Sequence, residues 1–176
     1  EYYKVIVYRI LETGDVAAPY SLEVVQTINM PDPHAAGILY PHCFYDREND
    51  CFWIEAYSSD KKENVYTRYR LPRFKAGSTV DMGKPLRTFR LPRDPKTDQS
   101  IYKRGDRMYQ VVGARKTGKL RVIDVNEGSL LKVINLNDMG LVHEPEAVFF
   151  HKDELYITFF ENGKTSIYRI APSVYR

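Results

Sequence analysis

Cysteine is almost missing from this chain: Cys43 and Cys51 are the only two in 176 residues. A disulfide-stapled scaffold needs several pairs, and a thiolate metal site needs a further soft ligand that is not near either cysteine. If Tyr45 pairs with Cys51 across the turn at 46–50, Cys43 faces Trp53 and the two sulfurs lie on a diagonal. That geometry permits a disulfide without requiring one, and two free, mostly buried thiols are the other reading. Long apolar runs are missing as well. None approaches the ~18 residues of a membrane-crossing helix, so no membrane span is expected, and no charged-then-apolar leader is present. The chain starts at Glu1 rather than Met, which is expected of a processed, cloned or truncated product. The string 152–155, Lys-Asp-Glu-Leu, is internal and reads as a hairpin turn, not a retention address. No nucleophile elbow, phosphate loop, zinc knuckle pair or Ser-His-Asp order is present, which removes the enzyme classes that one motif would reveal.

What is abundant is aromatic. Fourteen Tyr and eight Phe stand in a chain that is 43% hydrophobic and 28% charged, a composition that fits a folded domain whose large flat side chains pack on pleated sheet. The fold class expected is all-β. The clearest segment is C-terminal, with strands at 147–150, 155–160 and 165–170 joined by tight turns at Lys152-Asp153 and Asn162-Gly163. Its ending Tyr168-Arg169-Ile170 recurs as Tyr8-Arg9-Ile10 and Tyr69-Arg70-Leu71, each closing a β-rich run. Along the chain, 1–31 reads as the last two strands of a first unit, 34–91 as a second unit, 100–136 as a third, and 143–176 as the first three strands of a last one. Residues 72–84, rich in Pro, Gly and Lys, read as an insertion. Four-stranded meanders of ~45 to 60 residues are the sequence form of a β-propeller, here about three and a half blades; a sandwich or barrel is the alternative. A propeller usually needs at least four blades. The missing part is therefore expected either from an N-terminal half of a longer chain or from a second copy that closes the ring.

Glu144-Pro145-Glu146-Ala147-Val148, then 155–159 and 166–170, resemble the blade start and following strands of bacterial six- to seven-bladed propellers, including those related to helveticin J and to teichoic acid biosynthesis protein C. Ala147 stands where that pattern usually has Gly, and the likeness covers roughly 30 residues closely and the rest by rhythm. The resemblance implies a secreted or periplasmic propeller, with functions in such families running from glycan binding to hydrolysis. The Asp boxes of sialidase propellers are missing.

In a propeller the loops that enter each blade gather around a central channel. Here they hold Asp32, His34, His143, Glu144 and Glu146, the one cluster with metal-ligand or acid-base composition. Loop capping by hydrogen bonds to the backbone is the structural alternative for the same residues. His143 and Glu146 are the weak candidates for a divalent metal such as Ca²⁺; no cofactor is otherwise expected. A second candidate is basic. Between Lys61 and Arg121 stand 18 of the 26 Lys and Arg but 5 of the 23 Asp and Glu, and Arg-Leu-Pro-Arg occurs twice, at Arg70–Arg73 and Arg90–Arg93. With Lys96, Lys103, Arg104 and Arg107 these suit carboxylate or phosphate recognition, or else protect exposed strand edges from pairing. Nucleic acid is not expected, because the cations are not interleaved with a known aromatic platform. Tyr40, Trp53, Tyr57, Tyr109 and Tyr156 are candidates for stacking on sugars, although alternating aromatics on propeller strands are more often core. The function expected is a non-catalytic binding or scaffolding propeller for a glycan or other anionic cell-surface ligand. The alternatives are a metal-assisted hydrolase or lyase at the channel and a structural half that assembles with another chain.

Overall fold

A computed structural model describes residues 4–31, 38–58, 60, 62–94 and 98–176, with backbone only for 38–41. The chain is all-β, as its aromatic and β-branched content requires. Its strands are β1 (Lys4–Glu12), β2 (Tyr20–Asn29), β3 (Ile38–Asp46), β4 (Cys51–Ser58), β5 (Glu63–Arg70), β6 (Ser78–Asp81) and β7 (Arg87–Pro92). They continue with β8 (Asp98–Arg104), β9 (Arg107–Val112), β10 (Lys119–Asp124), β11 (Ser129–Asn135), β12 (Glu144–His151), β13 (Glu154–Glu161) and β14 (Lys164–Ile170). A 3-10 helix, Leu136–Met139, and one helical turn, α1 (Pro172–Tyr175), complete the described secondary structure. Four sheets result, ordered β1-β2-β6, β3-β4-β5-β7, β11-β10-β9-β8 and β12-β13-β14. The described residues fall into two compact units, one within 1–59 and 65–88, the other within 60–64 and 89–176.

The second unit is built from two meanders that share one core. Tyr109 and Val111 of β9, Leu120 and Val122 of β10, Val148 of β12, Leu155, Ile157 and Phe159 of β13, and Tyr175 of α1 form a single buried cluster. The turns of the last meander explain its sharp register. Lys152 and Asp153 have φ of 45° and 69°, and Asn162 and Gly163 have 50° and 76°. Both are two-residue loops whose mirror-image twist matches that of the flanking strands. Asn162-Gly163 is the residue pair such a loop prefers; Lys152-Asp153 adopts it at the steric cost of two Cβ-bearing residues in the left-handed region.

The first unit has its own core of Ile28, Met30, Phe52, Ile54, Tyr69 and Met82. β4 is buried along its whole length, as a central strand covered on both faces must be. The insertion at 72–84 contains a strand. β6 lies parallel to β2, Gln26 opposite Ser78 and Asn29 opposite Asp81, and the Asn29 amide donates to the Asp81 carboxylate at 2.9 Å. Four residues with one large apolar side chain, Val80, carry no readable period, so this pairing has no sequence signal.

The β3–β4 register also differs by one residue from the expected one. Asp46, not Tyr45, stands opposite Cys51, and Cys43 stands opposite Ile54. Because side chains alternate along a strand, this slip puts the two cysteines on opposite faces of the hairpin. Both thiols are free, Cys43 exposed and Cys51 buried. The Cys51 S–H donates to the Asn49 carbonyl at 3.2 Å. Burial pushes both thiols above the usual cysteine range.

Two outcomes follow from this geometry. Native protein at pH 7.5 exposed to a haloacetamide, followed by peptide mass analysis, is expected to show modification of Cys43 alone and more slowly than a free thiol, with Cys51 reacting only after unfolding. Replacing Lys152-Asp153 with Asn-Gly is expected to raise stability by somewhat under about 1 kcal/mol in urea titration, because Asn and Gly tolerate the left-handed region that Lys and Asp occupy at a cost, while loss of the exposed Arg104–Asp153 ion pair offsets a small part of the gain.

Candidate functional site

The entrance to β12 draws its polar residues together but spends them on one another. His143 Nε2 lies 3.0 Å from Glu161 Oε2, and Arg115 approaches the other oxygen of the same carboxylate at 3.7 Å. His143 Nδ1 is sealed from solvent. Neither nitrogen is therefore presented to a substrate in this arrangement. Glu144 accepts a hydrogen bond from Gln99 Nε2 at 2.9 Å, and the same amide donates to the Gly113 carbonyl at 3.1 Å. Gly113 holds a φ of 102°, and a Cβ there would collide with the Thr117 carbonyl, so this loop requires glycine. Glu146 stands apart. A bulge between Pro145 and Ala147 leaves it without a cross-strand partner, and it is exposed. Among the described residues no group of three or more His, Cys, Asp and Glu is placed to hold a metal ion. Asp32, His34 and Lys96 lie outside the described residues.

The sheet β11-β10-β9-β8 contains an arrangement that its sequence does not advertise. Arg121 on β10 is 2% exposed, and it donates to Gln110 Oε1 on β9 at 3.0 Å and to the Pro92 carbonyl at 2.8 Å. Gln110 Nε2 donates to Asp98 Oδ1 at 2.9 Å, and Asn64 Nδ2 donates to Asp98 Oδ2 at 3.1 Å. A cation and an anion are thus joined through a buried amide. In the strand pattern Gln110 and Arg121 occupy ordinary alternate positions, and nothing in their spacing distinguishes them from solvent-facing residues. In the other unit, Glu55 is likewise buried, 3.4 Å from the half-exposed His42, while Asp46 accepts from Trp53 Nε1 at 3.4 Å and from Asn49 at 3.0 Å. Trp53, Tyr57 and Tyr109 are core residues, not sugar platforms.

The two Arg-Leu-Pro-Arg copies differ in what surrounds them. Arg90 is bound to Glu63 at 3.0 Å. Arg104 pairs with Asp153 and lies 4.8 Å from the centre of the Phe150 ring. Arg70 and Arg73, by contrast, are exposed, and so are Phe74 (59%) and Lys75 next to them. No acidic residue occurs between Glu63 and Asp81. The backbone of this segment is pinned at four points. Leu71 N–H donates to the Asp50 carbonyl, Gln26 Nε2 to the Arg73 carbonyl at 3.1 Å, Ser78 Oγ to the Lys75 carbonyl at 2.6 Å, and Gly77 N–H to the Val25 carbonyl at 2.8 Å. The carboxylate of Asp50 is itself engaged by the Tyr45 hydroxyl at 2.8 Å. The result is a held, exposed strip of three cations around one aromatic ring. Phe74 and Lys75 belong to it although their sequence context reads only as insertion.

The buried chain of side chains predicts its own energetics. Arg121→Met strands Asp98 and Gln110 and is expected to cost about 3 kcal/mol in urea unfolding. Asp98→Asn in the same background is expected to cost less than it does alone by about 1 kcal/mol, because the two act through one network. No protein-family model matches this chain, and no curated protein shows significant similarity to it.

Proposed function

We propose that this chain is a non-catalytic binding module of the β-propeller type, working outside the cytoplasm, which takes an anionic glycan or another anionic cell-surface polymer on the strip Arg70–Lys75. The observation that carries it is the strip itself: three exposed cations and an exposed ring on a pinned backbone, free of acidic neighbours in sequence. Arg supplies paired hydrogen bonds to sulfate, phosphate or carboxylate, and a phenyl face suits the C–H side of a sugar ring. Preorganisation matters here, because a segment already held in place loses little conformational freedom when it binds.

The propeller reading is supported by the order of the sheets. The antiparallel meanders β11-β10-β9-β8 and β12-β13-β14 share one core, and a second core joins residues of β1-β2-β6 with residues of β4 and β5. A binding role rather than hydrolysis is favoured by the β12 entrance, where His143 and Glu144 are engaged by Glu161 and Gln99.

The test uses dextran sulfate as ligand and neutral dextran as control, followed by calorimetry at low and at physiological salt. Dextran sulfate alone is expected to bind, more weakly as salt rises. The double change Arg70→Glu and Arg73→Glu is expected to lower affinity at least about tenfold, the equivalent of ~1.4 kcal/mol. Arg90→Gln, which touches a cation already held by Glu63, is expected to leave binding unchanged. Equal binding by wild type and the double variant would remove the strip from the proposal.

A further inference from the structure

The hairpin β1–β2 carries an apolar face that nothing among the described residues covers. Its strands pair Tyr8 with Val24, Ile10 with Leu22 and Glu12 with Tyr20, and directly paired residues share a face. Strand alternation puts Ile6, opposite Thr27, on that same face, the extra residue at the register shift being Val25 on β2. Ile6, Tyr8, Ile10, Tyr20, Leu22 and Val24 are 43% to 68% exposed. The opposite face is used differently: Val5 and Val7 pack on the core of this unit, and farther out Arg9 and Glu23 form an exposed ion pair. The hairpin therefore has apolar side chains on both faces near its base, and only one of those faces is covered.

Six large apolar side chains at this exposure leave several hundred Å² of open surface, more than a monomer ordinarily keeps in one patch. It is on the scale of the ~800 Å² that each partner gives to a standard interface. The charges at the ends of the patch identify its occupant. The outer face of β1 reads Lys4, Ile6, Tyr8, Ile10, Glu12, with Tyr8 at its midpoint and an opposite charge four residues to either side. Four residues span about 14 Å of strand. A two-fold axis through Tyr8 sets Lys4 of one copy against Glu12 of the other, Ile6 against Ile10, and Tyr8 against Tyr8. The face is thus complementary to itself when two copies run antiparallel, which is the requirement of an isologous interface.

We infer that the outer face of the β1–β2 hairpin is a dimer interface at which a second copy of this chain stacks its own hairpin, sheet on sheet, about a two-fold axis at Tyr8. Stacking covers the apolar face; the cationic strip joins the same sheet at Val25 and Gln26, and dimerisation and dextran sulfate binding are read by separate measurements, so the failure of one is distinguishable from the failure of the other. Sedimentation velocity of the full chain over a concentration series is the test. The wild type is expected to populate a dimer, and Ile10→Glu, an exposed position, is expected to abolish it while thermal unfolding of the monomer is unchanged. Lys4→Glu alone places two acids opposite each other and is expected to weaken the dimer about tenfold. Adding Glu12→Lys to that variant is expected to restore it to within about threefold of wild type. A wild type that stays monomeric at ~100 µM, a dimer that survives Ile10→Glu, or a charge reversal that its partner change does not rescue would each overturn the inference.

Discussion

Arg121 carries a full charge into the middle of a sheet that is covered on both faces, and the second unit is arranged around satisfying it. The guanidinium takes Gln110 Oε1 and the Pro92 carbonyl, Gln110 passes the polarity on to Asp98, and Asp98 accepts from Asn64 as well. An uncompensated buried ion costs several kcal/mol, so these four groups tolerate no slip of register: a shift of one residue turns Arg121 to the other face, among Leu120 and Val122. The amide of Gln110 has only one orientation that both donates to a carboxylate and accepts from a guanidinium. Apolar packing makes this sheet stable, while the charged chain makes it a single arrangement rather than several of similar energy.

The same economy explains where chemistry is and is not available. Two of the polar residues at the entrance to β12, which by composition look like a catalytic or metal-binding cluster, are already engaged, His143 with Glu161 and Glu144 with Gln99, while Glu146 stands exposed. Residues held in this way order a loop, and the left-handed Gly113 between Gln99 and Thr117 marks how closely the backbone is packed there. In the proposed function, recognition falls to cations with no acidic neighbour in sequence. In the first unit those are Arg70, Arg73 and Lys75, whose backbone is fixed while their side chains extend into solvent.

The parts of this fold that are legible in sequence are those where local chemistry and tertiary structure agree. Asn162-Gly163 between two alternating runs specifies a hairpin without help, and the meander β12-β13-β14 follows directly. Lys152-Asp153 is legible only because both flanking strands are strongly patterned. β6 is not legible at all, since a four-residue parallel strand is specified by its neighbour β2 rather than by its own residues. The hairpin β3–β4 shows the limit of register reading: its five candidate loop residues allow two pairings, and the buried carboxylate of Asp46, held by Trp53 and Asn49, selects the one that separates the cysteines. The candidate site is legible in its residue types and not in its geometry. Arg70 and Arg73 stand out by repetition, yet the ion pair to Glu63 that sets Arg90 apart from them belongs to the folded chain.

That difference bears on what a basic stretch means. The excess of cations between Lys61 and Arg121 suggests one continuous electropositive surface, but among the described residues folding puts several of them in three different settings. Arg121 is buried and structural. Arg90, Arg104 and Lys119 are neutralised in place by Glu63, Asp153 and Asp94. Arg70, Arg73 and Lys75 remain exposed in a segment without acids. A neutralised surface cation adds little to the attraction of an anionic ligand, because the field of a close ion pair falls off within a few ångström and salt screens the rest. Net charge therefore overstates the binding surface. In the proposed function the effective part is the strip Arg70–Lys75, whose cations have no acid near them in sequence, and on that reading a ligand with closely spaced anionic groups suits it better than an extended duplex does.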